Sequence, residues 1–121
     1  AVRWHRAELA RGRPAPRLHR AGQEHERAAQ DALRELIQEA ESGRWNIIIA
    51  DEINNALDLG LINEEMVLRY IEVGREKKID LIFTGRGAKQ SLIDKADLVT
   101  EVRDIKHPFH DGKKARRGIE Y

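Results

Sequence analysis

The sequence predicts an α/β fold with a mainly parallel sheet, on three observations. Residues 24–42 carry an apolar stripe at helical spacing. The runs WNIIIA (45–50) and IDLIFT (79–84) are rich in β-branched residues and too short for helices. A second amphipathic stretch lies between them, so helices and strands alternate. That alternation builds parallel strands with crossover helices. A chain of 121 residues suits one domain.

Taken in order, residues 1–22 form a basic segment of poorly defined structure. Trp4 to Leu9 reads as one or two helical turns, which Gly12, Pro14 and Pro16 then break. Pro16–Arg20 reads as a short extended piece. In the helix at 24–42, Ala29, Leu33, Leu36, Ile37 and Ala40 face inward, and Gly43 supplies the stop. The first strand, 45–50, has the continuous apolar character of one buried on both faces. Residues 53–62 read as a short helix or turn. Asn63 can cap the next helix, which starts with Glu64 and Glu65. Its inward residues are Met66, Val67, Tyr70, Ile71 and Gly74, and Lys77 and Lys78 close it. The second strand, 79–84, leads into Gly85-Arg86-Gly87. Ser91, Leu92 and Ile93 belong to a short helix, and DLVTEV (97–102) reads as a third strand. The tail has a turn at Asp111-Gly112 and a last strand at Ile119–Tyr121.

Composition narrows the function. There is no cysteine, which excludes disulfides, thiolate catalysis and thiolate-bound metals. No apolar run approaches the ~18 residues of a membrane span, and residues 1–20 lack the apolar core of a signal peptide. A cytoplasmic location is expected. The net charge is +1, but its distribution is uneven. Both ends are basic, and residues 23–66 hold eleven acids against three bases. Basic ends can hold a polyanion or meet the acidic middle of a partner.

Four groupings carry possible chemistry. In IIIA-Asp51-Glu52 a buried strand delivers a carboxylate to the sheet edge, as in a Walker B segment that serves Mg2+. The plain alternative is an Asp that caps the following helix. In Thr84-Gly85-Arg86-Gly87, glycines after a strand let backbone amides approach an anion, and the arginine can reach phosphate. The alternative is an ordinary strand-to-helix turn. His107, His110 and Asp111 form a possible metal set, although loop histidines with ordinary hydrogen bonds are the commoner case. Lys113-Lys114-Ala115-Arg116-Arg117 can clamp phosphates, but few aromatics lie nearby to stack bases, so nucleic acid is disfavoured. No stretch matches the P-loop pattern G-x-x-x-x-G-K-S/T or the nucleophile elbow G-x-S-x-G. In a parallel sheet the ligand sits beyond the C-terminal strand ends. Asp51-Glu52, Thr84–Gly87 and Glu101-Val102-Arg103 are expected to gather there.

The segments DEINNALDLGLI (51–62), LIFTGRGAKQSLIDKADLVTEVRDIKHPF (81–109) and GKKARRGIEY (112–121) resemble the corrinoid adenosyltransferase family in its P-loop-containing branch. The resemblance runs from about Trp45 to Tyr121, with several motifs in order. Leu18-His19-Arg20-Ala21-Gly22 is similar to the family's short strand and loop before the long helix, and Trp4 and Glu8-Leu9 to a segment upstream.

This resemblance implies a three-layer RecA-like P-loop nucleotide-binding fold and a homodimer. It implies transfer of the 5′-deoxyadenosyl group of ATP to the cobalt of cob(I)alamin or another reduced corrinoid, with release of triphosphate. The Co(I) ion is then the nucleophile, and a reductase supplies it. Asp51 and Glu52 would serve Mg2+ or Mn2+. Thr84, Gly85, Arg86 and Gly87 would lie at the nucleotide phosphates. Lys106, His107, Pro108 and Phe109 would lie on the corrinoid side. The sequence departs from the family in two places. The P-loop segment is missing, which implies an N-terminally truncated, partial domain of impaired activity. Gln23-Glu24-His25-Glu26 stands where the family often has the aromatic segment G-F-T-W. The alternative is a non-catalytic corrinoid-binding protein or subunit derived from that family.

Overall fold

The computed structural model describes residues 1–10 and 20–106, with backbone alone at residues 20 and 21. Among the described residues there are three strands, β1 (Trp4–Glu8), β2 (Ile47–Asp51) and β3 (Asp80–Phe83), with four helices between and after them. The helices are α1 (Arg20–Glu41), α2 (Ile53–Asp58), α3 (Glu64–Glu76) and α4 (Gln90–Lys95). The sheet order is β1-β2-β3, and both pairings are parallel, as expected. Two successive crossovers step the same way across the sheet. With the usual right-handed sense, α1 and α3 therefore lie on one face.

The core sits between these helices and the sheet. Ala29, Leu33, Leu36, Ile37 and Ala40 of α1 are all buried, as their spacing predicts. They meet Ile48 and Ala50 of β2 and Val67 and Tyr70 of α3. Full burial of a side chain such as Leu33 or Leu36 stabilises by roughly 1.5–3 kcal/mol. The expected burial of β2 on both faces is only partly met. Ile48 and Ala50 are fully buried, whereas Ile47 and Ile49 are half-buried. On that second face Trp4 is 61% exposed and Ile82 44%.

Local chemistry sets the ends of elements. Gly43 follows α1 with φ of +74°. Asn63 caps α3 by accepting the Glu65 amide at 2.7 Å. Gly74 allows α3 to approach β3, since a Cβ there would lie 2.5 Å from Leu81 Cδ1. Leu92 anchors α4 in the core, and Ser91 Oγ donates to the Glu64 carboxylate.

Three sequence expectations are corrected. Trp4 to Leu9 is no helical turn: Trp4–Glu8 is a strand in register with Ile47–Asp51. The free side of β2 offers a ladder of hydrogen bonds, and that tertiary gain overrides weak local preference. Arg20, read as extended, opens α1, and Ala21 and Gly22 continue its first turn. Residues 97–102 form no strand, and Leu98 and Val102 are 84% and 90% exposed. An isolated strand has no ladder to stabilise it, and no described strand lies beside this one. The readings at Pro16–His19, at the turn Asp111-Gly112 and at Ile119–Tyr121 fall outside the described residues.

Candidate functional site

The C-terminal ends of β2 and β3 lie side by side, because Ala50 is in register with Phe83. The next residue of each chain segment is polar: Asp51 on β2, Thr84 after β3. The Thr84 hydroxyl donates to Asp51 Oδ1 at 2.6 Å and accepts the Glu52 amide at 2.9 Å. From the other side, Arg6 of β1 donates to Asp51 Oδ2, through Nε at 3.2 Å and through Nη2. The Asp51 carbonyl accepts the Leu9 amide at 2.8 Å. Asp51, the last residue of β2, is thus held from both neighbouring strands' sides. The Thr84 hydrogen bond and then the Arg6 guanidinium hold its carboxyl below the ordinary range for Asp.

The alternative of Asp51 as a helix cap does not hold. The N-cap of α2 is Glu52, in a left-handed conformation with φ of +64°, and no side chain caps that helix. Both oxygens of Asp51 point to Thr84 and Arg6 instead.

The loop after β3 is stitched to the start of α2. The Asn54 amide donates to the Thr84 carbonyl at 3.1 Å. Asn55 Oδ1 accepts the Arg86 amide at 2.7 Å, so that amide is already engaged. Gly85 has φ of +123°, and a Cβ there would lie 2.2 Å from Asn55 Oδ1. Only glycine fits this backbone and this gap. The Arg86 side chain and Gly87 are exposed.

The structure therefore brings together Asp51, Glu52, Thr84, Gly85, Arg86 and Gly87. It does not bring Glu101-Val102-Arg103 to a strand end, because the expected strand is absent there. Lys106 is exposed, and His107, Pro108, Phe109, His110, Asp111 and Lys113–Arg117 lie outside the described residues. Among the described residues no three His, Asp or Glu side chains group closely enough to hold a metal by themselves. No described helix is long and apolar enough to cross a membrane.

Sequence reasoning missed Arg6, Asn54 and Asn55 as parts of the site. Arg6 was hidden because its segment read as helical. The two asparagines had a visible signal: short amide side chains directly after a strand's carboxylates suit the bracing of a neighbouring loop. A groove of about 950 Å³ runs along β1 against α1, lined by Trp4, His5, Arg6, Glu8, His25 and Asp31 among others. It meets the Asp51 cluster through Arg6 and Glu8 and is otherwise separate from it.

Residues 8–121 match the family described as ATP:corrinoid adenosyltransferase BtuR/CobO/CobP. The chain is similar to the corrinoid adenosyltransferase of Sinorhizobium sp, with 40% identity over 93 residues, 77% of this chain and 42% of that protein. It is 39% identical to the corrinoid adenosyltransferase of Pseudomonas aeruginosa over 75 residues, 62% of this chain and 36% of the relative. It is 33% identical to the corrinoid adenosyltransferase CobA of Salmonella typhimurium over 76 residues, 63% and 38% of the two chains. The matched stretch spans less than half the length of each of these relatives.

Proposed function

The chain belongs to the ATP:corrinoid adenosyltransferase family, and on that premise we propose that it serves transfer of the 5′-deoxyadenosyl group of ATP to the cobalt of a reduced corrinoid. The bond from C5′ to the triphosphate oxygen breaks, the Co(I) electron pair forms the cobalt–carbon bond, and triphosphate leaves. The observation that best supports this reading is the Asp51–Thr84 pair at the adjoining ends of β2 and β3. It holds a carboxylate where open parallel sheets bind their ligands.

The donor set fits Mg2+. Asp51, Glu52 and the Thr84 hydroxyl offer only hard oxygen atoms, and Mg2+ takes one or two carboxylates with water and phosphate oxygens. When bound, the ion would neutralise charge on the departing triphosphate. Glu52 would be a direct ligand, and Asp51, engaged by Thr84 and Arg6, would join it where a partner yields. Arg86 would meet phosphate with its exposed side chain, and the Gly85 and Gly87 positions keep the loop close to it. Lys106, His107, Pro108 and Phe109 would face the corrinoid. Cobalt is the nucleophile, so the protein's work is to bind and orient two substrates. A homodimer, a reductase that delivers Co(I) and a cytoplasmic setting complete the proposal.

These 121 residues contain no P-loop sequence. Each charge-assisted hydrogen bond a P-loop would make to triphosphate is worth about 1.5–3 kcal/mol. On their own, these residues are therefore expected to bind Mg-ATP weakly and turn over slowly.

The test is an anaerobic mixture of the protein with Mg-ATP and chemically reduced cob(I)alamin, followed by the spectrum of adenosylcobalamin. Formation that depends on ATP and falls at least about tenfold in Asp51→Asn supports the reading. Corrinoid binding with no adenosylcobalamin at any enzyme concentration replaces it with the non-catalytic, corrinoid-binding alternative.

A further inference from the structure

Both carboxylate oxygens of Asp51 are occupied. Oδ1 accepts the Thr84 hydroxyl, and Oδ2 accepts Arg6. Arg6 donates twice to Oδ2 and fills it, whereas Thr84 donates once to Oδ1, so a cation that takes Oδ2 must displace Arg6 and one that takes Oδ1 crowds the Thr84 hydroxyl. The two are not equivalent. The Thr84 hydroxyl is partly buried and also holds the Glu52 amide, so its removal breaks two hydrogen bonds. The Arg6 side chain is 55% exposed, on the outermost of the described strands, and a freed guanidinium finds water at once. A divalent ion and a guanidinium at the same oxygen also repel. Arg6 is the partner that yields.

The register supplies a reason for Arg6 to be there. Glu8 is the partner of Asp51 across the β1–β2 ladder, and Glu52 follows Asp51 in the chain. Arg6 lies two residues before Glu8 on the same face of β1. Arg6 thus stands on the strand beside Asp51 at a corner of the sheet that also carries Glu8 and Glu52.

We propose that Arg6 is the resident counter-cation of Asp51, which a divalent cation displaces from Oδ2. Arg6 thereby sets the affinity of the site for its metal: it stabilises the cation-free state and competes with the ion. This rests on the reading of Asp51 as a metal-site residue.

The test uses Mn2+ as the probe, without nucleotide. Free Mn2+ is followed by electron paramagnetic resonance during titration of the wild type, Arg6→Gln, Arg6→Lys and Asp51→Asn, with circular dichroism to confirm folding. Arg6→Gln should bind Mn2+ about five- to tenfold more tightly than wild type. Arg6→Lys keeps the charge but loses the planar fork, and should fall between them. If Arg6→Gln does not fold, Arg6→Lys still decides the matter by exceeding the wild type. Asp51→Asn should weaken binding relative to wild type. Equal affinity in wild type and both Arg6 variants, with weakening in Asp51→Asn, overturns the role of Arg6 and leaves the metal site standing. Looser binding in Arg6→Gln also overturns it. No Mn2+ binding by any variant overturns the Arg6 role and leaves the metal reading to the Mg-ATP assay, in which phosphate oxygens complete the ligand set.

Discussion

The Thr84 hydroxyl joins the ends of β2 and β3 by donating to Asp51 Oδ1 at 2.6 Å while accepting the Glu52 amide at 2.9 Å. One hydroxyl thus satisfies a carboxylate and a backbone amide from residues 33 and 32 positions away. Replacing it leaves two partly buried groups without that partner.

Thr84→Val keeps the shape and removes the hydroxyl. We expect a loss of about 1–3 kcal/mol in unfolding free energy, read from urea denaturation. Thr84→Ser keeps the donor and acceptor and should recover most of it. Equal stability of Thr84→Val and wild type would show that water replaces the hydroxyl at no cost.

Stability should also fall in acid, and Asp51 should carry part of that fall. Its folded-state pKa is lowered, first by the Thr84 hydrogen bond and then by Arg6. A lowered carboxyl stabilises the fold above its unfolded value of ~3.9, and that contribution is lost as pH drops through the lower folded value. Glu39 has the same sign, because the Trp45 indole donates to it and Arg44 lies beside it. Asp51→Asn should therefore be less stable than wild type at pH 7, with a smaller further loss at pH 3. The remaining acid dependence would include Glu39. Parallel loss in the two proteins between these pH values would rule out the assignment to Asp51.

Much of this arrangement is legible in the sequence, for physical reasons that differ by element. The α1 stripe and the Asn63 cap declare themselves because helix contacts are local, within four residues. The run Ile47–Ala50 is legible because only a sheet buries so dense a β-branched segment. Asp51 and Thr84 are each marked by being the first polar residue after an apolar strand. Their mutual contact is not marked, since register is a property of two strands. Trp4–Glu8 has no periodicity strong enough to reveal a strand, and its fold is decided by the neighbouring edge of β2. The Arg6–Asp51 pair spans 45 residues and inherits that uncertainty of β1. Conversely, DLVTEV has strand-like composition but no described strand beside it. Its apolar residues remain exposed.

Gly85 should be the most sensitive position of the loop. Its φ of +123° strains any L side chain, and a Cβ would lie 2.2 Å from Asn55 Oδ1. Gly85→Ala should cost about 1–3 kcal/mol or more and release the Arg86 amide from Asn55. Amide hydrogen exchange at Arg86 reads that release directly. The double variant Gly85→Ala with Asn55→Ala removes the collision but not the backbone strain, so it should recover only part of the loss. Full recovery would mean that the backbone at Gly85 is freely adaptable.

Tyr70 offers a prediction of the opposite sign. Its ring is fully buried and stacks on Phe83 at 5.7 Å between centroids, with the planes 5° apart. Its hydroxyl is buried and has no hydrogen-bond partner among the described residues. Burial alone pushes its pKa far above the ordinary tyrosine value, so the phenol stays neutral through the accessible pH range. A buried hydroxyl that has given up water for nothing costs about 1–3 kcal/mol. Tyr70→Phe keeps the ring and its stacking and removes only that oxygen. The small void it leaves costs less than the unmet hydrogen bond, so Tyr70→Phe should be at least as stable as wild type, with a gain of up to about 1–2 kcal/mol. Thermal and urea unfolding measure it, with Tyr70→Ala as the contrasting loss of about 3–5 kcal/mol for an emptied core position. A clear destabilisation in Tyr70→Phe would reveal a partner for the hydroxyl, and the oxygen would then belong to the hydrogen-bonded framework under β3 rather than to the cost of packing α3 against it.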